Sequence, residues 1–119
     1  MPNIRQSLED LLTVDGAMCA AVVDSNSGMM LGSQGSGVDL EVAAAGNTEV
    51  VRSKLKTMRA LGLNDTIDDI LITLGKQYHI IRPMSRKEGV FIYFVLDKSK
   101  SNLALARRKC QDVERELTI

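Results

Sequence analysis

The run Val90-Phe91-Ile92-Tyr93-Phe94-Val95-Leu96 carries no charge, and a strand made from it has no face suited to water. Strands of that kind sit inside a sheet with cover on both sides. The run therefore predicts a central strand, Gly89 to Leu96, in a sheet that forms the middle layer of the molecule. Two strand-like runs precede it, Ile67 to Leu74 and Gln77 to Pro83, separated by Gly75-Lys76 and by the charged Ser85-Arg86-Lys87-Glu88 loop. Connections this short predict an antiparallel meander, because parallel neighbours need a crossover of about a dozen residues.

The cover is expected to be helical. Leu103, Ala106, Cys110, Val113 and Leu117 step along one helical face, with Ser99 or Ser101 as the expected N-cap. At the other end of the chain, Ile4, Leu8, Leu11 and Leu12 recur at helical spacing behind an Asn3/Gln6 capping pair. That helix should run to about Thr13, where Asp15-Gly16 stops it. Ala17 to Val23, the turn-forming Asp24-Ser25-Asn26-Ser27-Gly28 and Met29-Met30-Leu31 read as a β-hairpin. Gly32 to Gly37 reads as a flexible connector to a long helix from Val38 or Asp39 to Leu61, ended by Gly62 in a left-handed cap. The order α-β-β-α-β-β-β-α makes an α/β chain. Its 119 residues suit a single domain over 1–119.

The long helix carries two stripes besides its charged back. Val51, Leu55 and Met58 form a large apolar flank that suits the helix's own sheet. Ala43, Gly46, Val50, Ser53 and Thr57 form a second stripe of smaller side chains, which would let another helix approach closely, as an antiparallel self-pairing requires. The alternative is that Ala43-Ala44-Ala45-Gly46 only makes a thin helix that packs under the connector. Ile70 to Leu74 lacks the charge that would block pairing at a sheet edge, so Ile70 and Ile72 join the expected self-association surface. Glu49, Arg52, Lys56 and Arg59 share the remaining face and are left for a different partner.

The composition narrows the function. Lys+Arg and Asp+Glu are both 15, for a formal net charge of +0, which argues against nucleic acid or an anionic membrane as partner. Arg5, Glu9 and Asp10 interrupt the first stretch and no apolar run approaches the ~20 residues of a membrane span, so a cytoplasmic location is expected. Cys19 and Cys110 lie apart in apolar patterns and read as buried, reduced thiols. His79, the chain's one histidine, alternates with Gln77 and Ile81 as a half-buried strand residue instead of a general base. Asp68 and Asp69 alternate across a strand and cannot share a site, and no His or Cys set has ligand spacing. Gly32 to Gly37 lacks the lysine of a phosphate loop. Lys98, Lys100, Arg107, Arg108 and Lys109 are flanked by Asp97, Asp112, Glu114 and Glu116, the pattern of a solvated helix face. No catalytic residue, metal or cofactor is expected.

The stretches LEDLLTVDGAMCAAVVDSNSGMMLGS, ILITLGKQYHIIRPM and GVFIYFVLDKSKSNLALARR, in that element order, resemble the roadblock/dynein light chain family, in particular its short bacterial MglB-like members. The similarity runs from about Leu8 to Leu117. It implies a five-stranded antiparallel sheet between one long helix and two terminal helices, joined as a homodimer through the long helix and the adjacent edge strand. It further implies a role in regulating or scaffolding a small Ras-like GTPase without an inserted arginine finger, with Glu49, Arg52, Lys56 and Arg59 at the positions facing it. The sequence stops soon after its last helix, so whatever the C-terminal extension of longer MglB-like proteins does is not expected here. Two other readings stand beside regulation: a scaffold that only tethers protein partners, and a profilin-like sensor with a small-ligand cavity.

Overall fold

The structure is a computed structural model that describes residues 2–119. Its elements are α1 (Ile4–Leu11), β1 (Ala17–Asp24), β2 (Met29–Gly35), α2 (Leu40–Ala60), β3 (Ile70–Thr73), β4 (Gln77–Pro83), β5 (Val90–Asp97), a short 3-10 turn (Lys98–Lys100) and α3 (Leu103–Glu116). The five strands form one antiparallel sheet in the order β2-β1-β5-β4-β3. The apolar run is the middle strand, as its composition requires. Val95 lies opposite Cys19 on one side and His79 on the other, and Phe94 lies between Ala20 and Ile80.

Alternation along β5 divides the core in two. Ile92, Phe94 and Leu96 pack with Leu8 and Leu11 of α1 and with Ala106, Cys110 and Val113 of α3. Phe91, Tyr93 and Val95 pack with Ala44 and Val51 of α2. The sheet is therefore a middle layer, with α1 and α3 on one face and α2 on the other. Each fully buried Ile, Leu or Phe contributes roughly 1.5–3 kcal/mol by leaving water.

The helix ends follow from local chemistry. The Asn3 side chain accepts from Gln6 N at 2.9 Å while Gln6 Oε1 accepts from Asn3 N at 3.0 Å, a complete capping box. Asp39 accepts from the backbone of Glu41 and Val42 to start α2. Gly62, at φ +70°, closes it: Gly62 N donates to Arg59 O and Leu63 N to Met58 O, the paired bonds of a left-handed cap.

Four boundaries differ from the sequence reading. α1 stops at Leu11, where the Thr13 backbone and hydroxyl both bond Asp10 O. α3 is capped by Asn102, which accepts from Leu105 N, and not by Ser99 or Ser101. Those serines are engaged elsewhere: Ser99 donates its N–H and hydroxyl to the Asp97 carboxylate, and Ser101 Oγ donates to Asp97 O. β3 spans only Ile70–Thr73, because Asp69 is held by α3 through two bonds from Arg107 at 2.8 and 2.9 Å. The segment read as a connector is strand as far as Gly35, pairing Ala20 with Gln34 and Cys19 with Gly35. Its glycines answer to crowding: a Cβ on Gly32 would come within 2.6 Å of Ile4 Cγ2 on α1. Between Val22↔Gly32 and Val23↔Met30 the register slips, leaving Leu31 as the extra residue of a β-bulge.

Candidate interaction surface

α2 lies over β1 and β2 and leaves the β3–β4 half of the same sheet face without a helix. Its sheet-facing residues are Ala44, Thr48, Val51 and Met58, which are buried. Leu55, expected beside them, is 37% exposed. It lies at a groove of about 430 Å³ between the end of α2 and the β4–β5 hairpin, with Ile67, Met84 and Phe91.

The small-residue stripe is found on one flank of α2. Ala43 is half-buried and packs against the sheet core, while Gly46, Val50, Ser53 and Thr57 are exposed. Val50, Ser53 and Thr57 line a shallow groove together with Glu49 and Lys54. Nothing lies within 4 Å of where a Gly46 Cβ would stand. Ile70 and Ile72 of β3 are half-buried on the α2 side of the sheet. The outer edge of β3 is free, since β4 is its one neighbour in the sheet.

Glu49, Arg52, Lys56 and Arg59 are all exposed. They are not equivalent. Arg52 Nη2 donates to Asn26 O at 2.7 Å and Nη1 lies 3.4 Å from Glu49 Oε1, so Arg52 fastens α2 to the β1–β2 turn. Arg59 sits in the last turn of α2, where a cation meets the partial negative charge of the carbonyl end.

One polar chain on this face escaped the sequence. Tyr93 Oη is 2.9 Å from His79 Nδ1, and His79 Nε2 is 2.8 Å from Gln77 Oε1. The rings meet edge to face at 5.5 Å. Burial pushes His79 below its ordinary value and favours the neutral ring; because Gln77 Oε1 can only accept, the ring proton is assigned to Nε2, which leaves Nδ1 to accept from the Tyr93 hydroxyl. Burial pushes Tyr93 up to about 12, with Cys19 adding to the rise and Asn47 of α2 opposing it. The spacing Gln77-x-His79 signalled a shared face. The partner on β5 depended on cross-strand register, which sequence does not print.

The thiols are poorly placed for nucleophilic chemistry. Burial raises Cys19, and it pushes Cys110 up to about 12. Among the described residues, no group of three or more His, Cys, Asp and Glu side chains is placed to hold a metal ion. No helix among them is long and apolar enough to cross a membrane. The basic run on α3 is more than a solvated face: Arg107 holds Asp69, and Lys109 Nζ holds Asp10 at 2.8 Å.

No family model matches the chain, and no curated protein does. Solved structures do. A roadblock/LC7 domain from Streptomyces avermitilis superposes with a TM-score of 0.82 at 10% identity, covering 96% of this chain and 93% of that one. MglB from Myxococcus xanthus gives 0.82 at 18% identity, over 95% and 89% of the two chains. The gliding protein MglB from Thermus thermophilus gives 0.73 at 15% identity, also over 95% and 89%. The chain thus has the roadblock/LC7 fold, and the resemblance read from its sequence holds at the level of the fold.

Proposed function

We propose that two copies of this chain pair through α2 and β3, and that the pair is a cytoplasmic regulator of a small Ras-like GTPase. The observation that carries the pairing is the half-covered sheet face. Ile70, Ile72 and His79 lie on it beside a flank of α2 whose exposed members include Gly46, Val50, Ser53 and Thr57. A second α2, antiparallel to the first across a two-fold axis, fits that space, and the short free edge of β3 can continue into its twin. The charged flank would then face outward from both copies, offering Glu49, Lys56 and Arg59 to the GTPase, with Arg52 held in place beside them.

The GTPase enters through the family resemblance and through fold likeness to MglB. Among the described residues burial raises both thiols, Cys19 and Cys110, which suits an influence on nucleotide turnover exerted through binding. Mixing the purified protein with the Ras-like GTPase encoded nearest to it, then measuring complex formation, hydrolysis and exchange, tests this reading. Complex formation with a changed rate supports regulation. Complex formation at unchanged rates favours the tethering scaffold, and no complex overturns both.

A further inference from the structure

We propose that self-pairing of this chain is proton-linked through His79: the second copy closes over the neutral imidazole, and protonating that ring loosens the pair. This rests on the pairing proposed above. His79 lies on β4 between Ile72 of β3 and Val95 of β5, in the half of the sheet face that α2 leaves open. It is half-buried already, and a second helix laid on that face would remove its remaining water.

The surroundings suit only the neutral ring. Nδ1 accepts from the Tyr93 hydroxyl at 2.9 Å, and a proton placed there turns an acceptor into a donor and breaks that bond. The titratable neighbours give an imidazolium no counter-ion. Tyr93 on β5 and Cys19 on β1 both have raised values and stay uncharged through the acid range. On α2 the groove of the near flank holds Lys54, a cation, and Glu49, whose carboxylate lies 3.4 Å from the Arg52 guanidinium, and Asn47 is neutral. On β3 the facing residues are Ile70 and Ile72. The carboxylate nearest by register is Asp97, opposite Gln77, and it is occupied by the N–H and hydroxyl of Ser99. A free monomer can hydrate the charged ring. A closed pair cannot.

The sign follows from linkage. The pair binds fewer protons at His79 than two monomers do, so its affinity is constant well above the free monomer's His79 value, which burial already holds below the ordinary 6.5, and falls as pH drops through that lowered value. If the second copy lowers each ring by a further unit, each contributes up to about a tenfold loss, and the two rings of a pair multiply.

The dissociation constant should be measured by dilution-series sedimentation at about pH 7.5 and about pH 5.5, for the wild type and for His79→Gln, which keeps an acceptor for Tyr93 but does not titrate. The expected result is a wild-type constant at least about tenfold weaker at the lower pH and a flat His79→Gln. A wild-type pair indifferent to pH overturns the proton link and leaves the pairing standing. Equal pH dependence in the variant also overturns the link. A monomer at every pH overturns the pairing and the link together. If His79→Gln fails to fold, the NMR titration of the chain's one histidine in wild type at high and low concentration replaces it. The same midpoint at both concentrations overturns the proposal.

Discussion

Arg82 on β4 and Glu114 on α3 meet at 3.2 Å with side chains only 13% and 3% exposed, so the ion pair that fastens α3 to the sheet is nearly dry. Ser85 Oγ adds a bond to Glu114 Oε2, and Arg86 Nη2 donates to the backbone oxygens of Glu114 and Leu117.

Breaking that pair from one side should be costly, because the survivor is a buried charge without a partner. Glu114→Leu is expected to lose about 3–5 kcal/mol of unfolding free energy in urea titrations. Arg82→Met with Glu114→Leu should recover most of the loss. A double variant as weak as the single one would show that the hydrogen-bonded loop matters more than the charges.

Alkaline stability should be set by groups held neutral in the fold. Cys110 is pushed up to about 12, and burial has the same effect on Tyr93. Above the ordinary thiol value the unfolded chain releases protons that the folded chain retains, so stability should be level to about pH 8.5 and decline beyond it. Cys110→Ala should make that decline shallower, with the raised Cys19 thiol and Tyr93 carrying what remains. Denaturant midpoints across the alkaline range measure it, and an unchanged slope in the variant would exonerate the thiol.

Self-pairing makes a direct prediction on α2. Gly46→Glu has open space for its Cβ, and Val50 is 36% exposed, so Gly46→Glu and Val50→Asp should both fold. Light scattering should then report monomers, with circular dichroism like the wild type. A folded variant that still pairs would put the interface elsewhere.

The α3 cap is a smaller test. Asn102→Ala should cost about 1 kcal/mol, the ordinary worth of an N-cap oxygen. A change near zero in the denaturant midpoint would return the role to a neighbouring serine.

The layered architecture was legible because hydrophobic pattern reports burial. β5, apolar on both faces, specified a covered middle strand, and the spacing of Leu103, Ala106, Cys110 and Val113 specified which face of α3 turns inward. What the sequence concealed depends on distance across the chain. Gly32 looks like a connector residue until Ile4 is seen above it. Asp69 looks like part of a strand until Arg107 is seen to hold it. The Tyr93–His79 bond joins residues whose meeting is fixed by register between β4 and β5, a quantity that periodicity within one strand does not contain. Arg52 likewise looked free on a helical wheel, and its bond to Asn26 O comes from the turn beneath it.

The bulge at Leu31 makes the two borders of the sheet unlike each other. A ladder that grows without limit needs two usable borders, one to add to and one to offer. Here one border is kinked by an extra residue and the other is short and regular, so the proposed strand pairing between copies would have a single usable side and would end once two copies had met. Edge pairing of the proposed kind would close on a pair and would not run on into a fibre.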